Sequence, residues 1–536
     1  MFKKITYTFV IFFLSLNSFA QNNSGEIHGD FDLNMQSYQE DELIGAKEAD
    51  EIILNNAYLN INYTKGNFAA GLRYESYLNA LMDFDDNYKG NGVPFRYAAY
   101  TIDGLEVTVG NYYEQVGSGL IFRSYENKGL GTDNAMDGIR LTYSPLKGVY
   151  LKSFIGKSRT YFTYADGIIR GADGEININE ALDFESKTRI IIGQGFVSRF
   201  QADINPKFKL PQNVAAYSTR LNIINGGWNY SGEYAIKLND PVGSLTSEGN
   251  NYANGNALMS SLTYSKRGFG IIAEMHRVDH MEFRSERAGE KQYIINYIPT
   301  LSKQHTYTLL ALYPSSTQAE GEFGTQIDLF YKIKKGSLLG GKYGTKIAGN
   351  FSYWAGLDAE YHIENRWYKA EFIGKGSRLF RDVSVEVKKK INKKWSGVAT
   401  FQNVIVDKGI VYGGPLAVEE DIKASIAVLE GTYKIKGSKS VRFVAQHLWA
   451  EKDRKNWVAG VLEYNFNSNF ALYLADNWNY GDTDIHYYSA GGSYSKGRTR
   501  FAMNYGRQRG GLICIGGVCR FVPENTGLTA NLTVNF

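Results

Sequence analysis

The sequence is poor in cysteine, proline and histidine, with two, nine and seven of them in 536 residues. No proline-rich linker or shift in composition divides it, so its length indicates one large domain rather than several. The net charge is +4, or +2 without Lys3 and Lys4, which leaves no basic field to attract nucleic acid. After residue 20 no apolar run is long enough for a membrane-spanning helix. The sequence therefore predicts neither a nucleic-acid-binding protein nor a helical membrane protein.

The first 20 residues have the pattern of a secretory signal peptide. Lys3 and Lys4 precede an apolar run, and Ser18 and Ala20 are small residues at the positions expected before a cleavage site. A membrane anchor would need about 20 apolar residues, and this run is shorter. We expect cleavage after Ala20, no lipid anchor because no cysteine follows, and a mature domain over residues 21–536.

Aromatic residues and glycine are abundant, at 14 % and 57 residues, which is unusual for a soluble protein. The mean hydropathy of −0.33 is low, but in a transmembrane β-barrel only every second residue faces lipid. Apolar residues occupy alternate positions over residues 27–35 and again over 528–536, and similar segments lie between them. A soluble β-sandwich alternates in the same way, so other features must distinguish membrane from water.

Three such features favour a barrel. Short turns alternate along the chain with longer polar loops, as in outer-membrane barrels. Several tryptophans lie near strand ends, where barrels carry aromatic girdles: Trp228, Trp395, Trp449, Trp457 and Trp478. The last alternating strand ends on Phe536, which resembles the C-terminal signal for barrel insertion. We therefore predict a large all-β, transmembrane antiparallel barrel in the outer membrane of a Gram-negative bacterium, with membrane lipid and the barrel assembly machinery as partners.

The strand number follows from the requirement that short turns and long loops alternate along the chain. A first count gives 24 strands, but short turns and long loops then fail to alternate at two places. One additional strand within residues 164–178 and another within 291–298 restore the alternation. We predict about 26 strands, with 22 or 24 as the other counts that the pattern allows.

A ring of 26 tilted strands would be about 50 Å across, so something must fill it. The first strand begins soon after residue 20, which leaves inward-folded loops as the filling material. The best candidate is Tyr113–Asp137, where four glycines permit tight packing and charged side chains can pair with the wall. Its predicted constriction residues are Arg123, Glu126, Lys128 and Asp133. An ordinary surface loop is the alternative, and residues 353–378 are a second candidate.

Three runs carry a resemblance to a known family: VTVGNYYEQVGSGLIFRSYENKGLGTDNAMDGIRL, LFYKIKKGSLLGGKYGTKIAGNFS and GGLICIGGVCRFVPENTGLTANLTVNF. They resemble an uncharacterised family of Gram-negative outer-membrane barrel proteins, a domain of unknown function. The resemblance covers most of the mature chain. It implies the barrel fold and the outer-membrane location, and no activity.

Cys514 and Cys519 are the only cysteines and lie in the last long loop. In an exported protein this spacing predicts a disulfide across a short external loop. The sequence contains no H-E-x-x-H, G-x-S-x-G, P-loop or dinucleotide motif, so we predict no catalytic residues, no metal and no cofactor. A barrel hydrolase, whose site would be assembled from separate strands, is the enzymatic alternative.

Two functions from different classes fit this pattern. The first is a porin-like or substrate channel with an internal loop constriction. The second is a non-conducting scaffold or accessory barrel of an outer-membrane secretion or assembly machine, with an outer-membrane protein as partner. The inner face carries both charge signs in similar numbers, so the sequence predicts no strong ion selectivity. These inner positions include Asp30, Asp32, Glu106, Arg140, Asp328, Lys332, Glu386 and Lys388.

Overall fold

The structure is a computed structural model that describes residues 25–536 except 50, 83, 204–208, 244–249, 288, 290, 320, 363–366, 410–419 and 516–517. The predicted signal peptide over residues 1–20 lies outside the described residues and stays a prediction. None of the helices in the described ranges is long and apolar enough to cross a bilayer.

Strands make up almost all of the regular structure. They are β1 Glu26–Gln39, β2 Leu54–Lys65, β3 Phe68–Tyr77, β4 Gly90–Ile102, β5 Leu105–Tyr112, β6 Gln115–Val116, β7 Phe122–Arg123, β8 Glu126–Asn127, β9 Thr132–Asp133, β10 Met136–Leu146, β11 Val149–Thr160, β12 Thr163–Asn177, β13 Thr188–Phe200, β14 Asn213–Asn225, β15 Trp228–Gly243, β16 Asn250–Lys266, β17 Phe269–Asp279, β18 Gly321–Ile333, β19 Thr345–Ala355, β20 Ala359–His362, β21 Trp367–Ala370, β22 Arg378–Lys390, β23 Trp395–Asp407, β24 Asp421–Lys434, β25 Ser440–Ala450, β26 Trp457–Asn465, β27 Phe470–Asn479, β28 Ile485–Lys496, β29 Thr499–Gln508, β30 Gly511–Ile515, β31 Val518–Val522 and β32 Asn525–Asn535. The helix α1 spans Ile178–Ala181, and 3₁₀ turns cover Glu42–Ile44, Asp86–Tyr88 and Lys291–Tyr293.

Twenty-four of these strands form one closed antiparallel barrel. Each pairs with its neighbours in chain order once the small hairpins β6–β7, β8–β9, β20–β21 and β30–β31 are set aside. The ring closes where β32 pairs with β1, with Leu532 opposite Leu33. Closure gives each barrel strand a partner on both sides, which is the condition for a sheet to span lipid. The predicted fold class is confirmed.

The strand number is 24, one of the counts that the sequence pattern allows, and the preferred number of 26 is wrong. The additional strand predicted within residues 164–178 exists as β12. The one predicted within residues 291–298 does not, because this stretch contains a 3₁₀ turn and its Ile295 and Tyr297 hydrogen-bond to Phe283, Arg123 and Gly119 instead of a wall strand.

Side chains alternate between a lipid-facing outer surface and the lumen. On β10, Ile139 and Leu141 are exposed on the outside, whereas Arg140 between them pairs with Glu106 inside. The pairing register puts all eight charged positions predicted for the lumen on this inner face. The outer face is apolar because lipid replaces water there.

Of the five tryptophans predicted for the girdles, four lie on the outer face near strand ends. Trp228 and Trp395 lie beside short turns and pack on Tyr264 and Tyr433, with ring centroids 4.5 and 4.7 Å apart. Trp457 is the exception, because its pairing with Leu448 directs it into the lumen, where it is fully buried. One residue of register decides the face of the sheet.

Most short connections, the start of β1 and Phe536 lie at one end of the barrel, which we call the short-turn end. Most of the longer connections lie at the opposite, long-loop end. Two of these longer connections, between β5 and β10 and between β17 and β18, contact inner-face residues on many strands, as described next. The lumen is therefore filled from the long-loop end.

Candidate functional site: the lumen and its plug

The first segment inside the lumen is residues 113–135, which we call the first plug segment. It folds into the hairpins β6–β7 and β8–β9, and Gly117 and Gly131 adopt left-handed backbone with φ of 57° and 66°. Leu120 and Ile121 in the turn of the first hairpin and Phe122 at the start of β7 have no solvent exposure. A surface loop would not bury such a run, so the segment is part of a core.

Small apolar residues of the wall make room for this core. Val197, Ala216, Ala235, Ala257 and Val278 lie on neighbouring strands from β13 to β17 and are fully buried against the plug. Larger side chains at these inner positions would occupy the space that the segment fills. Burial of apolar area on both surfaces stabilises the contact.

On the side opposite this apolar contact, ion pairs join the first plug segment to the wall. Asp133 pairs with Arg73 of β3 and with Arg159 of β11, and both arginines also pair with Glu75. Glu126 lies 3.0 Å from the Arg73 guanidinium. Burial raises the pKa of Glu126 above its usual range, although Arg73 acts in the opposite direction. Arg159 and Glu75, each with 1 % of the side chain exposed, are the most enclosed members of this group, which we call the arginine cluster.

The other two predicted constriction residues have different partners. The Lys128 Nζ lies 2.8 Å from Asp32 of β1 and 4.5 Å from the ring centroid of Tyr58. Arg123 stacks on Tyr125 and Tyr297, at 4.6 and 4.1 Å from their ring centroids. Glu126, Lys128 and Asp133 thus face charged wall residues, and Arg123 faces the second segment described next. That the four restrict a pore stays a prediction.

The second segment inside the lumen is residues 280–319, which we call the second plug segment. It crosses to the other half of the wall. The Trp354 Nε1 donates to the Leu301 carbonyl at 2.8 Å, the Tyr307 hydroxyl donates to Glu430 at 2.9 Å, and His305 lies 3.0 Å from Asp382. Buried leucines at 301, 309, 310 and 312 pack with inner-face residues from β19 to β26.

The two plug segments join each other through backbone hydrogen bonds. The Arg123 N–H donates to the Ile295 carbonyl at 2.7 Å, and the Tyr297 N–H donates to the Gly119 carbonyl at 2.9 Å. Asn134 adds a side-chain bond to the Ile294 carbonyl at 3.1 Å. Because each segment contacts its own half of the wall, this seam completes a plug across the barrel.

The sequence did not indicate the second plug segment. The alternation of short turns and long loops instead predicts a wall strand within residues 291–298. The arginine cluster was also missed, although Arg73, Glu75 and Arg159 occupy inward positions of strands, which is a detectable signal. The second predicted filling segment, residues 353–378, instead begins in β19 and contains the hairpin β20–β21. His362 and Trp367 in it have side chains outside the described part of the chain.

A cavity of about 220 Å³ lies between the plug and the wall. Ser118 of the first plug segment and Leu301 of the second contribute to its lining, and β12 to β17 form the rest. The charged lining residues are Glu175, Arg220, Glu233 and Glu274. The Ser118 N–H donates to the Glu233 Oε2 at 2.8 Å, so one wall carboxylate connects the cavity to the plug.

Two further predictions concern the last strands. The backbone register puts Cys514 directly opposite Cys519 in the hairpin β30–β31. Their side chains lie outside the described residues, and the disulfide stays a prediction. Phe536 exchanges backbone hydrogen bonds with Gly29 at 3.0 and 3.1 Å, and its role in insertion stays a prediction. No group of three His, Cys, Asp or Glu residues able to hold a metal occurs in the described ranges.

A closed, apolar-faced barrel with an internal plug defines an outer-membrane β-barrel protein. The chain belongs to a family of unknown function, DUF6029, whose model matches residues 1–536. No curated protein matches the sequence.

Solved structures with a similar architecture include large outer-membrane barrels. The P pilus usher PapC translocation pore has 9 % identity and a TM-score of 0.44, with 95 % of this chain and 99 % of that one covered. The siderophore receptor PirA of Pseudomonas aeruginosa has 9 % identity and a TM-score of 0.41, with 96 % of this chain and 81 % of that one covered. OccAB3 of Acinetobacter baumannii has 8 % identity and a TM-score of 0.36, with 95 % of this chain and 99 % of that one covered. Nothing about function follows from likeness at this level.

Proposed function

We propose that this outer-membrane barrel is a substrate channel that the two plug segments close. The observation that carries the proposal is the unequal filling of the lumen. Leu120, Ile121 and Phe122 are buried without exposure in the plugged region. Elsewhere on the inner face, the side chains of Arg442 and Glu463 keep 34 % and 32 % of their surface exposed while they pair at 3.5 Å.

A hydrated, charge-lined space beside a compact plug suits a gated passage. Water and polar solutes can enter such a space, because paired charges of both signs line it without a single-sign barrier. Arg123, Glu126, Lys128 and Asp133 are then the residues that hold the first plug segment in its closed position. Three of them attach it to the wall, and Arg123 attaches it to the second plug segment.

A non-conducting scaffold is the second candidate, and the depth of the apolar contacts favours it. The plug shares two buried clusters with the wall, one for each half of the barrel. A segment held by such a core opens only at a large free-energy cost. In this case the plug is a permanent filling, and an outer-membrane partner would bind at the rim.

Planar-bilayer recordings of the purified protein separate the two candidates. Discrete openings of the wild type support the channel, whereas a wild type that stays silent at every voltage supports the scaffold. Deletion of residues 117–131 then tests the plug: we expect a larger, continuously open conductance. Deletion of residues 337–340, in a connection at the short-turn end, is the matched control and should leave the recordings unchanged.

Insertion provides a check on every variant. Folded barrels resist denaturation by detergent at room temperature and migrate faster in gels than after heating. A deletion variant that retains this heat-dependent mobility and shows wild-type conductance would contradict the plug role. Another part of the lumen would then have to close the barrel.

A further inference from the structure

We propose that the cavity beneath the plug binds a small organic cation that carries more than one amino group. The inference rests on the proposed function only in treating the lumen as the route of a solute. It names the chemical class of that solute from the charges that line the cavity.

The charge of the lining is predominantly negative. Glu175, Glu233 and Glu274 contribute carboxylates, and the single cationic lining residue is Arg220. Arg220 pairs with Asp173 at 2.6 Å and lies directly opposite Glu233 in the pairing of β14 with β15, so one cation faces four carboxylates. Within the part of the chain that the structure describes, no lysine or arginine forms an ion pair with these three glutamates. The cavity therefore attracts positive charge.

Glu233 supplies an observation that is independent of the charge count. Its side chain is buried to more than nine tenths and lines the cavity, and its Oε2 accepts the Ser118 N–H. Its Oε1 is buried and has no hydrogen-bond partner among the described residues. A buried carboxylate oxygen without a donor costs free energy. An ammonium group entering the cavity would supply that donor.

The arrangement of the carboxylates indicates the kind of cation. No three acidic or histidine side chains in the described ranges converge closely enough to hold a metal ion. Glu175, Glu233 and Glu274 lie on three different strands, β12, β15 and β17. Separated carboxylates are complementary to separated ammonium groups on one chain, and a volume of about 220 Å³ accommodates a small flexible molecule.

Isothermal titration of the purified full-length protein with spermidine tests this inference. We expect one saturable site that weakens as salt is raised, because charges dominate the contact. Sorbitol and citrate, a neutral and an anionic probe, should give no saturable heat. Saturable citrate binding of equal strength would overturn the proposal, since it would require a positive site.

Two variants and one control assign the site. Glu233→Gln retains an oxygen for the Ser118 N–H but loses the charge, and Glu274→Gln removes a second carboxylate. We expect each to weaken spermidine binding roughly tenfold, the loss typical of a charge-assisted hydrogen bond. Glu463→Gln removes an inner-face carboxylate on the distant strand β26 and should leave the affinity unchanged.

The outcomes separate this inference from the channel proposal, since binding is measured without current. Absence of saturable binding to the wild type, or equal weakening by Glu463→Gln, would overturn the cation site even if the barrel conducts. Spermidine binding with the expected variant pattern in a barrel that stays silent would leave the site intact and contradict the channel. Heat-dependent gel mobility verifies that each variant is folded.

Discussion

The two plug segments fill the same lumen by different chemistry. The first is fixed on one side by the arginine cluster, in which Arg73 and Arg159 share Glu75 and Asp133. The second is fixed mainly by leucines in a buried cluster and by single hydrogen bonds such as that of His305 to Asp382. The strength of an ion pair depends on the charge of its partner, whereas the strength of leucine packing depends on the volume of the side chain. The two segments should therefore respond to different perturbations.

The largest effect should come from Arg159→Met. This change leaves Glu75 and Asp133 buried with one arginine instead of two, and breaking a buried pair costs about 3–5 kcal/mol. We expect the free energy of unfolding in urea to fall by this amount, with faster proteolysis of the first plug segment. Arg378→Met is the matched control, because its pair with Asp421 is about one-third exposed and is worth at most about 1 kcal/mol. Equal losses for both variants would refute the structural role of the cluster.

A substitution that creates a cavity in the second plug segment should cause the next largest loss of stability. Leu309→Ala removes a fully buried side chain from its cluster, which costs about 2–4 kcal/mol through lost transfer energy and the cavity left behind. The loss should be independent of salt. Leu429→Ala on the lipid-facing surface, where Leu429 is 62 % exposed, serves as the control in the same unfolding experiment. If Leu309→Ala changes stability no more than Leu429→Ala, the second segment is not packed as described.

Gly117→Ala tests the comparison of the two plug segments at a backbone position of the first. Gly117 has φ of 57°, and an added Cβ would lie 2.5 Å from the Glu233 Oε1. We expect a loss of about 1–3 kcal/mol from backbone strain together with the close contact with Glu233, confined to the first plug segment and detectable as faster amide exchange there. Gly226→Ala has a similar φ of 55° in a turn with open space around it, so it controls for strain without the clash. Faster plug exchange in both variants would show that the contact with Glu233 is irrelevant.

The smallest effect should come from Lys128→Met. Its pair with Asp32 leaves 31 % and 24 % of the two side chains exposed, and such pairs contribute about 0–1 kcal/mol. The difference in stability from wild type should disappear in 1 M salt, where the Debye length is about 3 Å. A loss that persists at high salt would mean that packing of Lys128 on Tyr58, rather than charge, holds this part of the plug.

The wall could be predicted from the sequence because one physical rule governs it. Lipid outside and water inside impose alternation, so Arg140 and Glu106 could be assigned to the lumen before any pairing was known. The first plug segment was detectable because glycines and charges interrupt that alternation. The second was not, because residues such as Ile294, Ile295 and Ile298 read as fragments of a strand. The face of Trp457 depends on a register that composition does not reveal.

The arginine cluster and the cavity were beyond sequence reasoning for a different reason. Arg73 and Arg159 lie on β3 and β11, and Glu233 and Glu274 lie on β15 and β17. Each is an unremarkable inward charge in its own strand. Only the closure of the ring and the inward path of the two connections bring them together, and both are long-range consequences of the fold.

Amide hydrogen exchange in lipid nanodiscs tests the central claim, that the two plug segments join inside the lumen. The N–H groups of Arg123 and Tyr297 donate across the seam between the segments. We predict that both exchange as slowly as the amides of neighbouring wall strands such as β10. Glu42, an exposed residue of the turn after β1, should exchange rapidly in the same sample. Exchange of Arg123 and Tyr297 at the rate of that turn would contradict a plug packed within the barrel.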